Sequence, residues 1–111
     1  MPGPTYDLAE IQASASRGQC FITDYALNGA FEIGFDYQDI YDCVGLLNET
    51  HFYKTMPSQK IIGLMQDVYR ITYEQKAVYL KLQIGKNRKD VSAVVISFKA
   101  DESAQNRGEG S

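Results

Sequence analysis

The chain has 111 residues, 44% of them apolar and 23% charged, which suits one globular domain with a single core and excludes wholesale disorder. No apolar run approaches the roughly 20 residues of a membrane-spanning helix, and Met1-Pro2-Gly3-Pro4 lacks the basic and apolar regions of a secretory signal. The net charge of −3 is unevenly spread: residues 1–53 hold eight acids and one base, residues 54–99 nine bases and three acids, so the second half is the part expected to meet an anion.

Three short helical patterns come first. Thr5 can cap a helix whose inward residues are Leu8, Ile11 and Ala15, with Gly18 as its stop. Cys20-Phe21-Ile22 suggests a short strand. Thr23 caps a second helix through Ala26, Leu27 and Phe31 that ends near Gly34. Asp36 caps a third, where Ile40, Cys43, Val44 and Leu47 take the i, i+3, i+4, i+7 spacing of a buried stripe.

From Phe52 the period becomes two, with strands expected near 52–56, 64–71, 77–84 and 93–99. Turns fall at Pro57-Ser58 and Tyr73–Lys76, and residues 85–90 read as a hairpin loop. In the third strand Val78, Leu80, Leu82 and Ile84 point one way and Tyr79, Lys81 and Gln83 the other. In the fourth, Val94, Ile96 and Phe98 are assigned to the inner face, Ser97 and Lys99 to the outer. The expected fold is α+β: N-terminal helices (residues 5–48) packed on one face of a small antiparallel β-sheet (52–99) whose other face is open. Residues 1–100 form a single domain, and residues 101–111 read as a disordered tail.

The open face is the candidate for chemistry, the alternative being a solvated basic face whose tyrosines pack and whose lysines guard against edge-to-edge association. Parity places Gln66 and Arg70 beside Tyr79, Lys81 and Lys99 and sends Asp67 inward, while a twist or bulge could aim Lys54 at the same area. Cleavage of RNA through its own 2′-hydroxyl needs a base, cations for the phosphorane and an acid for the leaving oxygen. Lysine and tyrosine titrate near ~10 in water, and neighbouring cations lower a lysine toward the useful range. Arg70 suits phosphate clamping, and Lys81 and Arg88 are further substrate contacts. Scattered carboxylates and a single histidine, His51, give no metal site, and no cofactor motif is visible. Cys20 and Cys43 read as reduced core thiols of a cytoplasmic protein, with a disulfide as the other option. A Cys–His nucleophile pair remains a competing arrangement on paper.

His51-Phe52-Tyr53-Lys54-Thr55-Met56, Gln66-Asp67-Val68-Tyr69-Arg70, Val78-Tyr79-Leu80-Lys81 and Val95-Ile96-Ser97-Phe98-Lys99 resemble, in order, the sequence blocks of the motility quorum-sensing regulator (MqsR) toxin family. The likeness is strong over 46–99 and extends to the first third only in layout. It implies a type II toxin with a RelE/YoeB-like fold: a metal-independent, ribosome-independent endoribonuclease that cuts mRNA at short GC-containing sites and is silenced by a cognate antitoxin. The family's active-site groups fall on Lys54, Gln66, Tyr79 and Lys99, with Arg70 at the phosphate. Lys54 reads as base or transition-state cation, Gln66 as base or ribose reader, and Tyr79 as proton donor or orienter. Arg70 and Lys99 read as clamps. The chain departs from the family in Met65, in Ile71 and in a longer 85–90 loop bearing Lys86, Arg88 and Lys89. A non-catalytic RNA- or antitoxin-binding module on the same fold is the competing reading.

Overall fold

A computed structural model describes residues 3–86 and 91–102 of the chain. In order, its elements are α1 (Leu8–Ser16), β1 (Cys20–Ile22), α2 (Asp24–Glu32) and α3 (Tyr37–Leu46), a 3-10 turn at Glu49–His51, then β2 (Phe52–Pro57), β3 (Met65–Tyr73), β4 (Lys76–Lys86) and β5 (Val91–Ala100).

Each helix begins where a short polar side chain accepts an orphan backbone N–H. Thr23 accepts from Ala26 (3.1 Å) at the head of α2, and Asp36 and Asp39 form a reciprocal capping box on α3. The cap of α1 is Asp7, which accepts from Ala9 at 3.0 Å, and not Thr5. Thr5 has other work: its N–H and that of Tyr6 donate to the two oxygens of Asp67 at 3.0 and 2.8 Å. Asp67 is fully buried, and a carboxylate taken out of water needs such donors. α2 buries Ala26 and Ala30, whereas Phe31, expected inward, is 55% exposed. α3 buries Ile40, Cys43 and Val44 as its spacing predicts.

The sheet runs β1-β5-β4-β3-β2. Four strands are antiparallel, but β1 joins β5 in parallel, so the sheet is mixed rather than antiparallel as expected. The difference comes from the N-terminal strand, whose pairing with a segment some seventy residues away in sequence has no local signature. Glu74 and Gln75 close the β3–β4 hairpin with positive φ (49° and 68°), the geometry that matches strand twist.

Two bulges set the parity of the faces. One falls between Phe52 and Lys54 in β2, the other opposite the Lys81/Leu82 step in β5, where Leu82 pairs with Val95 and Lys81 with Ser97. Ile96 is the extra residue. The inner residues of β5 are therefore Ala93, Val95 and Phe98, all at most 1% exposed, and not Val94 and Ile96 as plain alternation predicts. Ser97 and Lys99 lie beyond the bulge and keep the outer position expected of them.

Helices α1, α2 and α3 cover the inner face, and one core joins Ile11, Ala30, Ile40, Val44, Tyr69, Leu80, Leu82, Val95 and Phe98. Tyr73 Oη donates to Asp39 Oδ1 at 2.9 Å, fastening the end of β3 to the start of α3. The chain also stays fixed past β5: Asp101, assigned from sequence to the tail, is 7% exposed and donates its N–H to Ala77 O at 2.9 Å. Residues 103–111 lie outside the described residues. Among the described residues, no helix is long and apolar enough to cross a membrane.

α2 lies against β5 because residue 29 has no side chain. A Cβ there would stand 2.1 Å from the Phe98 carbonyl oxygen. Gly29→Ala is expected to push α2 off the strand that carries Lys99 and to cost about 3 kcal/mol, the upper part of the overpacking range, measured as the loss of unfolding free energy in urea.

Candidate active site on the outer face of the sheet

The β-ladder arranges the outer side chains in rows. Arg70, Tyr79 and Lys99 stand opposite one another on β3, β4 and β5. The next row is Lys54, Val68, Lys81 and Ser97, and the row after it pairs Met56 with Gln66. Along a strand, alternate residues lie about 6.6 Å apart and neighbouring strands about 4.8 Å apart. Lys54, Arg70, Lys81 and Lys99, four cations from four strands, thus share one small area with the Tyr79 phenol.

The β2 bulge explains how Lys54 arrives there. It lets Tyr53 and Lys54, adjacent in sequence, both serve the outer face. The Arg70 guanidinium lies over the Tyr53 ring with its carbon 3.9 Å from the centroid, and Lys54 Nζ lies 5.3 Å from the same ring. Lys99 Nζ stands 5.2 Å from the centre of the Tyr79 ring. A concavity of about 310 Å³ is lined by Tyr53, Arg70, Tyr79, Lys99, Ala100, Asp101 and Glu102.

Burial and charge tune two of these groups. Lys81 is half-buried, and desolvation, then the Lys99 and Lys54 ammonium groups, hold its pKa below the ordinary 10.5. The Tyr79 phenol is raised above 10.0, first by desolvation and then by Tyr53, Asp101 and Tyr25. Val68 between Lys54 and Lys81 is fully buried although it faces outward, as expected where long lysine stems flank an apolar strand.

The structure thus brings together Lys54, Arg70, Tyr79, Lys81 and Lys99. Gln66 shares their face but stands one row farther on and is 8% exposed, its Nε2 donating to Gln83 Oε1 at 3.0 Å. Its backbone lies about 13 Å along β3 from Arg70, which sets it apart from the Arg70–Tyr79–Lys99 row. Arg88 lies outside the described residues. Asp67 faces inward as parity predicts. The Cys–His arrangement has no geometry to support it. His51 Nδ1 accepts the Asn48 N–H at 2.9 Å, and burial pushes the Cys20 and Cys43 thiols up to about 11 and about 12. No group of three potential ligands among the described His, Cys, Asp and Glu residues could hold a metal ion.

Sequence reasoning missed Tyr53 and Asp101. The first depends on a bulge, which no local pattern announces. The second was legible: alternation through Ser97 and Lys99 reaches Asp101 next on the same face.

Comparison with known proteins bears on this face. The family model described as "Motility quorum-sensing regulator, toxin of MqsA" matches residues 3–100. A curated relative, "mRNA interferase toxin MqsR" of Escherichia coli (strain K12), is 30% identical over 96 residues, covering 86% of this chain and 93% of that protein. The matched span holds every outer-face residue named above except Asp101 and Glu102.

Removing either flanking ammonium should return Lys81 toward ordinary lysine behaviour. In Lys54→Met and in Lys99→Met, the Lys81 titration followed by NMR of its side-chain nitrogen is expected to move upward toward 10.5. An unchanged midpoint in both variants would mean that the three amines do not sense one another.

Proposed function

The chain belongs to the motility quorum-sensing regulator toxin family, and from that premise we propose that it is a metal-independent, ribosome-independent endoribonuclease that cuts mRNA at short GC-containing sites. The observation that carries the reading is the convergence of Lys54, Arg70, Lys81 and Lys99 with Tyr79 on one face. It is the toxin half of a pair, acts in the cytoplasm on a RelE/YoeB-like scaffold, and is held inactive by a cognate antitoxin protein.

The reaction we assign is attack by the ribose 2′-oxygen on the adjacent phosphorus. Lys81, whose lowered pKa raises its neutral fraction, takes the 2′-hydroxyl proton. Arg70, Lys54 and Lys99 hold the charge that builds on the phosphorane, with Arg70 offering a planar fork that its stacking on Tyr53 orients. As the bond to the 5′-oxygen breaks, Tyr79 gives that oxygen its proton. The raised pKa keeps the phenol protonated, and the developing alkoxide is the stronger base. The products are a 2′,3′-cyclic phosphate and a 5′-hydroxyl end. Gln66 reads the ribose or base of a neighbouring nucleotide.

The direct test is incubation of the purified protein with unstructured RNA in EDTA, followed by analysis of the ends. Cyclic-phosphate and 5′-hydroxyl ends are expected. Intact RNA with measurable binding would replace the enzyme with a binding module. Lys81→Arg keeps the charge but removes the base, and Tyr79→Phe removes the acid. Each is expected to lower kcat about 100-fold, the lower bound for losing a general acid or base.

The pH profile carries signs as well. A neutral amine is required, so kcat/KM rises with pH until it reaches the lowered Lys81 value. It falls again only above 10.0, where the Tyr79 phenol ionises. Binding of a catalytically silent RNA should weaken with salt, log K falling about 2 units per tenfold rise in salt for three phosphate contacts. A flat salt response would move the binding surface elsewhere.

A further inference from the structure

A buried carboxylate beside the phosphate clamp of a polyanion-binding site needs a reason. Asp101 is such a group. It lies one residue beyond β5, where its N–H prolongs the ladder by bonding Ala77 O at 2.9 Å. Its side chain is 6% exposed, and its Oδ2 is 3.9 Å from Arg70 Nε. It lines the same concavity as Arg70, Tyr53, Tyr79 and Lys99. As a stray anion it would only repel RNA at this spot, and a surface position would have let water screen that repulsion. Buried against one edge of the guanidinium, it acts on Arg70 directly.

We propose that Asp101 is a positioning residue that holds the Arg70 guanidinium flat on Tyr53, so that the fork meets the scissile phosphate in one orientation. The inference rests on the ribonuclease reading above. Tyr53 restrains the fork through its face, with the guanidinium carbon 3.9 Å from the ring centroid, and Asp101 restrains it through the Nε edge. Neither contact alone suffices. A ring lets a stacked guanidinium rotate in its own plane, and an ion pair at 3.9 Å lets it tilt. Together they fix both motions before substrate arrives, which is the condition under which an electrostatic clamp favours the transition state over the ground state.

Position and charge make opposite demands on kinetics, and this separates the proposal from a simple electrostatic effect. Asp101→Asn keeps the shape and removes the charge that orients Arg70. With a short RNA, kcat is expected to fall about tenfold while KM stays within twofold or improves, because a nearby negative charge has gone. In an Arg70→Ala background the same Asp101→Asn change is expected to lower kcat much less than tenfold, because only the influence of Asp101 on the Tyr79 phenol remains. Asp101→Ala provides a second variant should the asparagine amide rebuild the contact. A lower KM with unchanged kcat would make Asp101 only a brake on binding and overturn the proposal. Equal losses of kcat with and without Arg70 would also overturn it, by making the role structural.

A measurement without RNA separates this inference from the reading it rests on. The Arg70 Nε–H resonance is expected to be sharp and slowly exchanging in the wild-type protein, and averaged in Asp101→Asn. Identical resonances in the two proteins overturn the positioning role even where RNA is cleaved. A wild-type protein that leaves RNA intact overturns the ribonuclease reading, whatever the resonance shows.

Discussion

Two extra residues, one in each of two strands, decide which side chains this sheet shows to solvent. Without the bulge at Tyr53, alternation along β2 could not aim both the ring and Lys54 outward. Without the bulge at Ile96, the inner set Ala93 and Val95 would continue to Ser97 and Lys99, burying an ammonium group and driving the Phe98 ring into water. The bulge sits where β1 leaves the sheet. Thr23 donates its N–H to Val95 O at 3.1 Å and its hydroxyl to Ile96 O at 2.9 Å. The irregular strand is thus satisfied by the same residue that starts α2, so site parity and helix placement share one origin.

The division of charge follows from the same layering. Acids dominate the helical half, where they cap helix starts or face solvent, while in the sheet half Asp67 enters the core from β3. It does so by binding two backbone N–H groups of the N-terminal segment, which ties Thr5 and Tyr6 beneath β3. That leaves the outer face, among the described residues, with amines and a guanidinium, and with Asp101 and Glu102 at the rim of its concavity. Net negative charge and affinity for a polyanion are compatible because potential is local, with the helices and the outer face on opposite sides of the sheet.

Much of this was legible in the residues because the physics behind it is local. Cap chemistry located α2 and α3, and period-two alternation located β3 and β4 with the facing of Gln66, Asp67, Arg70, Tyr79 and Lys81. The failures, Asp101 apart, involve long-range pairing. Thr5 looked like a cap until Asp67, sixty-two residues on, claimed its N–H. Val94 and Ile96 are apolar and alternate with Phe98, so only the register against β4 reveals that they face outward. Phe31 satisfied a helical stripe that the close approach of Gly29 to β5 rotates toward solvent. The parallel pairing of β1 belongs to the same class. The common outward facing of Lys54, Arg70, Tyr79, Lys81 and Lys99 survived these errors because they lie on strands whose local signal was strong, or just past a bulge.

Cys20 on β1 and Cys43 on α3 both belong to the core between helices and sheet, at 7% and 0% exposure. Neither sulfur can meet an alkylating reagent while the helical layer is seated, and neither is poised as a thiolate when oxidants are present. The pair therefore acts as a built-in clock for breathing of the molecule. The speed at which a small maleimide captures each sulfur in otherwise native conditions reads how often the α-layer lifts, at two depths, without any probe having to be introduced.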